Sequence, residues 1–216
     1  KTVNLEERAM SKQSLSVTRK VCARIPTDHG DFQLCHFANT LDDKEHLALY
    51  KGNPASVDPV LVRVHSECFT GDVLGSRRCD CGEQLDRAMA MIAEAGTGVI
   101  LYLRQEGRGI GLPDKLRAYN LQDQGYDTVD ANLMLGHVAD GRDYSLAALM
   151  LQDLGVLSVR LMTNNPAKID ALTKAGVNIA ERVSLQIPAN NDNFDYLLTK
   201  AQRMAHLLPL SSLNSQ

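Results

Sequence analysis

The sequence predicts a single α/β domain, a mixed sheet flanked by helices in a three-layer αβα-like arrangement. Three observations predict it. The first third of the chain is a succession of short β-type runs, the hydrophobic period becomes helical after Gly82, and from there short apolar runs alternate with amphipathic segments.

In chain order, residues 21–25, 32–37, 47–51 and 60–64 read as strands, set apart by the turn signals Asp28-His-Gly30 and Gly52-Asn-Pro54. Leu85, Met89, Ile92 and Ala93 then share one helical stripe, which Gly96 stops. Residues 99–103 form a short buried strand, followed by glycine-rich sequence and a helix through 116–124. The alternation repeats as helix 146–154, strand 159–162, helix 167–175 and strand 178–185, and an amphipathic helix over 194–208 closes the chain. Residues 1–20, charged and without sustained periodicity, read as a flexible N-terminal arm or linker; 21–208 form the domain and 209–216 a polar tail.

Composition excludes several classes. Across 216 residues, 23 Lys and Arg face 26 Asp and Glu, a net charge of −3, and aromatics make up 5%. Without a basic stripe there is no field to hold a nucleic acid, so any bound anion must meet a local cluster. No apolar run approaches the ~20 residues of a membrane-spanning helix, and the polar start lacks the core of a secretory signal. No nucleic-acid or membrane partner is therefore expected. The absence of an initiator Met suggests a trimmed chain or a segment of a longer polypeptide. Five cysteines, an odd number, argue against a disulfide framework and for a reducing, cytoplasmic setting. Cys22 and Cys35, inside strand-like runs, read as small buried hydrophobes.

Cys68, Cys79 and Cys81 follow the spacing Cys-x10-Cys-x-Cys between a strand and a helix. Soft thiolates suit zinc, and three protein ligands leave a fourth position for water, the pattern of a catalytic site. A closed site completed by His65, or three plain buried thiols, are the alternatives. The polar residues crowding these cysteines favour a site that handles a charged substrate. Glu67 is a candidate proton shuttle, or else a surface ion-pair partner of a nearby arginine.

Arg104-Gln-Glu-Gly-Arg-Gly-Ile-Gly111 leaves a strand and opens a helix with Pro113 in its first turn, placing backbone amides and arginines where phosphate oxygens bind. It matches neither a dinucleotide fingerprint nor a Walker loop, and an ordinary βα turn is the bland reading. Asp140-Gly-Arg-Asp-Tyr144 is a charged turn before a helix, and Thr163-Asn-Asn-Pro-Ala-Lys168 follows a strand; both could cap helices or contact an anionic or guanine-like group. The residues alone support a hydrolase acting on a phosphorylated, nitrogen-rich small molecule.

Taken together, Arg63-Val-His-Ser-Glu-Cys68, Arg78-Cys-Asp-Cys-Gly-Glu-Gln84, Arg104-Gln-Glu-Gly-Arg-Gly-Ile-Gly111, Leu121-Gln-Asp-Gln-Gly-Tyr-Asp-Thr128 and Leu161-Met-Thr-Asn-Asn-Pro166 closely resemble the GTP cyclohydrolase II family over about residues 20 to 208. The resemblance implies a zinc enzyme that opens the imidazole ring of GTP and releases formate and pyrophosphate, the first committed step toward riboflavin, with magnesium on the triphosphate. It implies Cys68, Cys79 and Cys81 as zinc ligands. The implied GTP-binding positions are Arg63, Val64, His65, Ser66, Glu67, Gln84, Glu106, Gly107, Arg108, Thr128, Thr163 and Lys168. Asp140 is implied as proton acceptor and Arg142 as nucleophile, with Tyr119 lining the pocket. A guanidinium keeps its proton to a pKa above ~12, so an alternative stays open in which Arg142 only stabilises phosphoryl charge while water attacks. The resemblance further implies a homodimer, and the family also occurs as one half of a bifunctional riboflavin protein. A zinc-stabilised GTP-binding sensor without turnover is the other functional reading.

Overall fold

A computed structural model describes residues 14–208. Its seven strands form one sheet: β1 (Val17–Thr27), β2 (Gly30–Asn39), β3 (His46–Lys51), β4 (Val60–Ser66), β5 (Gly98–Leu103), β6 (Ser158–Met162) and β7 (Asn178–Val183). The seven helices are α1 (Phe69–Asp72), α2 (Cys81–Ala95), α3 (Gly111–Gln122), α4 (Thr128–Met134), α5 (Ser145–Asp153), α6 (Pro166–Lys174) and α7 (Phe194–Arg203). The strand order is β1-β2-β3-β5-β4-β6-β7. β1, β2, β3 and β5 pair antiparallel in succession, whereas β5, β4, β6 and β7 are parallel neighbours. The expected mixed sheet with helical layers is what forms.

Alternation along the strands sorts the two faces. Val60, Val62 and Val64 of β4 join Val99, Leu101 and Leu103 of β5 in a core covered by Ala147, Met150 and Leu151 of α5 and Leu172 of α6. Leu61, Ile100 and Met162 point the other way, against Ala88 and Ile92 of α2. Because side chains alternate with period two, Arg63 and His65 fall on the α2 side. The near-continuous burial of β4 and β5 is that of central parallel strands. The carboxyl ends of β4, β5 and β6 therefore open side by side onto one crevice, the usual ligand position in an open α/β sheet.

Several boundaries differ from expectation. β1 starts at Val17, earlier than residue 21, because it is an exposed strand whose pairing with β2 runs from Val17↔Asn39 to Thr27↔Gly30 and leaves little hydrophobic signal. The rest of the expected arm up to residue 13, and the expected tail at 209–216, lie outside the described residues. α4 was not anticipated; Asp127 caps it by accepting from the Val129 and Asp130 amides. α7 ends at Arg203 instead of running to 208.

The reading of Cys22 and Cys35 as free buried thiols is corrected. The β1–β2 register sets them directly opposite each other, with Cα atoms 4.1 Å apart, and they are joined as a disulfide. Cys35 is buried but Cys22 is exposed. The pair lies on strands remote in sheet order from the other cysteines, so replacing both by Ser should leave zinc content at the wild-type level, as read by metal analysis; a fall in zinc would refute this. No helix among the described residues is long and apolar enough to cross a membrane.

Candidate functional site

The three remaining cysteines converge where β4 ends and α2 begins. Cys68 lies two residues past the end of β4, at the N-cap position of α1, and Cys81 is the first residue of α2. Their sulfurs lie within 4.8 Å of one another, Cys68 Sγ and Cys79 Sγ being 3.6 Å apart. Glycines permit this closeness. A methyl on Gly71 would sit 3.0 Å from Cys79 Sγ and 3.1 Å from Cys68 Sγ, and one on Gly82 would collide with the Gly71 carbonyl. Gly82→Ala is accordingly expected to destabilise the fold by about 1–3 kcal/mol through overpacking against backbone, measurable in a thermal melt; an unchanged melting temperature would disprove the packing account.

The donor set fits zinc. Hydrogen bonds from Cys79 and Cys81, together with the Lys115 ammonium 3.1 Å away, hold the Cys68 thiol far below its ordinary pKa, while the hydrogen bond to Cys68, with burial and the Cys68 charge, pushes those of Cys79 and Cys81 up. Like charges in one place ionise one at a time, and a divalent cation is what lets all three become thiolates. His65 does not complete the set. Its Nε2 faces Asp72 Oδ1 at 3.0 Å, and Asp72 also accepts from Tyr102 Oη at 2.9 Å and from the Cys68 amide at 2.9 Å. Asp72 thus ties the first zinc-ligand candidate to β4 and β5. Among the described residues, no further His, Cys, Asp or Glu joins the cluster.

Above the thiols lies a cleft enclosing 1110 Å³, open mouth included, to which every expected site residue contributes except Val64 and Asp140. Val64 is buried in the sheet core, and its carbonyl accepts from Lys168 Nζ at 2.6 Å. That bond aims an ammonium buried to 4% exposure beneath the cleft; burial and the neighbouring Arg63 and Arg142 lower its pKa. Arg63 is held by the Met162 carbonyl at 3.0 Å and by the Gln84 amide oxygen, and the Gln84 nitrogen in turn donates to Asp80. Thr163 Oγ1 is occupied as acceptor for the Asn165 amide, and Thr128 opens α4 at the rim. Tyr119 Oη lies 3.2 Å from Thr70 Oγ1, with the Arg78 guanidinium 5.0 Å from its ring centre.

The glycine and arginine segment folds as a sharp left-handed bend. Gly107 and Arg108 have φ of 61° and 62°, and a methyl on Gly109 would press the Gly141 carbonyl at 3.1 Å. The Gly141 amide donates to the Arg108 carbonyl at 3.1 Å, which seats the 140–142 turn against this loop. The Glu106 carboxylate is a brace: it accepts from the Phe69 amide at 2.7 Å, the Gly107 amide at 2.8 Å and Lys115 Nζ at 2.7 Å. Glu67 Oε2 accepts from Arg104 Nε at 2.9 Å, the ion pair considered as its alternative role, while the side chain still borders the cleft. Asp140 grips Arg142 through both oxygens, with Nε donating to Oδ1 at 2.8 Å. Burial works against the Arg142 charge, but the hydrogen bond and pull of Asp140 outweigh it and raise the pKa further. Asp143, next along, accepts from the Ser145 amide at the start of α5.

Sequence reading missed Lys115 and the outer wall of the cleft, where Tyr196, Lys200 and His206 stand. Lys115 lies one turn into the helix that the glycine-rich segment opens, a spacing that could have flagged it.

Clustered thiols beneath a wall rich in cations place a candidate metal site beside a candidate anion site, the pairing of an enzyme class that joins a metal to a phosphorylated substrate. The comparisons narrow that class. The family model for GTP cyclohydrolase II matches residues 18–184, and the chain belongs to that enzyme family. It is 57% identical over 194 residues to the riboflavin biosynthesis protein RibBA of Bacillus cereus (strain B4264), covering 90% of this chain and 49% of that one. With the protein of the same name from Bacillus velezensis it shares 56% over 193 residues, 89% of this chain and 48% of the relative. The chain therefore spans about half the length of the curated relatives it matches. The crystal structure of RibBX, a two-domain 3,4-dihydroxy-2-butanone 4-phosphate synthase from A. baumannii, matches with a TM-score of 0.48 at 22% identity, over 84% of this chain and 43% of that one, and is too distant to bear on the site.

Proposed function

We propose that this domain opens the imidazole ring of GTP, releasing formate, and cleaves between the α- and β-phosphates, releasing pyrophosphate, to leave 2,5-diamino-6-(5-phosphoribosylamino)pyrimidin-4(3H)-one. This is the first committed step of riboflavin biosynthesis. The observation that carries the reading is the convergence of Cys68, Cys79 and Cys81 within 4.8 Å beneath a cleft bordered by Arg63, Arg108, Arg142 and Lys168. Cys68, Cys79 and Cys81 would hold a zinc ion, which would supply Lewis acidity and lower the pKa of water for attack on the ring.

The chain's own residues bind, orient and move protons. Arg63, Arg108 and Lys168 neutralise the triphosphate, Thr128 and Thr163 border it, and the Gly107 bend lets backbone approach it. His65, Ser66 and Gln84 shape the floor. Glu67, on the rim and poised by Arg104, takes a proton from the water that adds to the carbon between the two imidazole nitrogens and gives it to the first ring nitrogen to leave. A second water then adds to the same carbon, and its proton goes to the second nitrogen as formate departs. Tyr119 fixes the ring edge from the opposite side. Arg142, oriented by Asp140, stabilises charge on the α-phosphoryl group while water attacks; its raised pKa favours this over acting as the nucleophile. Magnesium travels with the triphosphate. Among the described residues, the carboxylates on the cleft wall are Glu67 and Glu106, engaged by Arg104 and Lys115, so that pair does not fit the ion.

Incubating the zinc-loaded chain with GTP and quantifying formate and pyrophosphate tests the reading: both products should appear in equal amounts. Tight GTP binding without either product would transfer the site to the sensor reading. A homodimer is proposed for solution, and light scattering should return twice the chain mass; a monomer refutes it. A reducing, cytoplasmic setting suits the three thiols that must stay free to bind metal, whereas the Cys22–Cys35 disulfide points toward an oxidising one. The length of the relatives supports a place beside a second domain in a bifunctional riboflavin protein.

A further inference from the structure

The family match ends at residue 184, yet the outer wall of the cleft is built by chain beyond it. Tyr196 and Lys200 of α7 and His206 of the segment that follows line the same cleft as the three thiols. This segment is tied to the elements that carry the site. Lys200 Nζ is 2.7 Å from Asp80 Oδ1, between Cys79 and Cys81. Arg203 pairs with Asp127, the cap of α4, and lies 2.9 Å from Asp130 Oδ1. The Leu207 amide donates to the Asn164 carbonyl, in the loop after β6, at 2.8 Å. Between these ties Ala205 adopts φ of 52°, a left-handed value that a residue with a Cβ takes only at a cost. The His206 amide then closes back on the Lys200 carbonyl at 3.0 Å. That turn carries the imidazole into the cleft.

Two buried side-chain nitrogens have no hydrogen-bond partner among the described residues: His206 Nε2 on this wall and Arg108 Nη1 on the glycine-rich loop beside Tyr196. The Arg108 guanidinium lies 6.0 Å from the Tyr196 ring centre and forms no ion pair with the described carboxylates. Burial, then Lys200, Arg108 and Arg142, push the His206 pKa down to about 3, with Asp80 opposing. The imidazole is therefore neutral and can donate through Nε2. Buried donors left unpaired are costly, and natural proteins rarely keep them without a ligand or water to satisfy them. A group with several acceptor oxygens and negative charge would satisfy both at once.

We infer that His206 joins Arg108, already placed on the triphosphate, as a ligand of the phosphate chain of the bound nucleotide, so that residues 194–208 form a wall of the site that selects a triphosphate over an unphosphorylated nucleoside. The inference rests on the nucleotide reading above but is tested without turnover. Calorimetry on the zinc-loaded chain compares magnesium tripolyphosphate with guanosine, for wild type, His206→Ala and His206→Gln. His206→Ala should weaken tripolyphosphate binding about tenfold, and His206→Gln, whose amide can donate, should recover to within about threefold of wild type. Guanosine affinity should stay within about twofold throughout. Unchanged tripolyphosphate binding in His206→Ala overturns the inference, as does a parallel loss of guanosine binding, which would make His206 a brace of the whole cleft. If His206→Ala has no melting transition, His206→Phe, which fills the space without a donor, carries the same comparison. A chain that bound tripolyphosphate through His206 but released neither formate nor pyrophosphate from GTP would sink the catalytic reading and leave this one standing.

Discussion

Cys79→Ser is expected to abolish formate release, by about a thousandfold or more, equivalent to on the order of 4 kcal/mol of transition-state stabilisation. The same variant should carry zinc well below one ion per chain. A serine oxygen is a poor donor for a borderline-soft cation, and among the described residues no other His, Cys, Asp or Glu stands close enough to replace the lost sulfur. Lys115, 3.1 Å from Cys68 Sγ, compensates a site with three thiolates; with one removed, it opposes retention of a divalent ion. The loss should also lower the melting temperature, because a metal here joins the end of β4 to the start of α2 and its binding energy is part of the folding energy. Metal analysis beside a formate assay checks the result. Wild-type formate release from a chain depleted of zinc would end the argument for a zinc-dependent ring opening.

Arg142→Lys is expected to retain pyrophosphate release at about one-tenth to one-hundredth of the wild-type rate, and Arg142→Ala to fall by about 10²–10³. The physical ground is the pair with Asp140, which contacts the guanidinium through both carboxylate oxygens and raises its pKa. A group held protonated in this way can donate hydrogen bonds and stabilise developing negative charge, whereas attack on phosphorus would first require removing a proton from its most stabilised form. Lysine preserves the charge but not the fork, hence partial activity. The alternative, a covalent guanylyl intermediate on Arg142, requires complete loss in both variants and a labelled adduct on the wild-type chain during turnover. Finding both would replace the electrostatic role with the nucleophilic one.

Much of this site was legible because its chemistry is local. Cys79 and Cys81 are one residue apart, and their helix begins at once, so spacing alone brings two sulfurs together. Arg63 and His65 share a sheet face because strand side chains alternate. The left-handed Gly107 and Gly109 positions are ones glycine occupies readily, and the Asn165 cap and Pro166 start of α6 follow from the same residue-level preferences. Less was readable where a residue's role depends on what lies opposite. Glu106 can be placed beside the substrate from its motif, but that its oxygens accept from Phe69, Gly107 and Lys115 cannot be read there. Cys22 and Cys35 look like buried hydrophobes until the β1–β2 register places them face to face. α4 is too short, and its composition too mixed, for a periodicity to emerge.

From the linear order of residues come the strand and helix periods, the three-thiol spacing and the clustering of arginines near turns. These are set by backbone geometry and by side-chain chemistry acting over a few positions. Tertiary structure alone decided that Lys115 meets Cys68, that the 140–142 turn seats against the Arg108 loop, and that His206 closes the cleft opened by β4, β5 and β6. Those contacts join elements whose relative placement depends on packing both faces of the sheet, and no short-range preference encodes that placement.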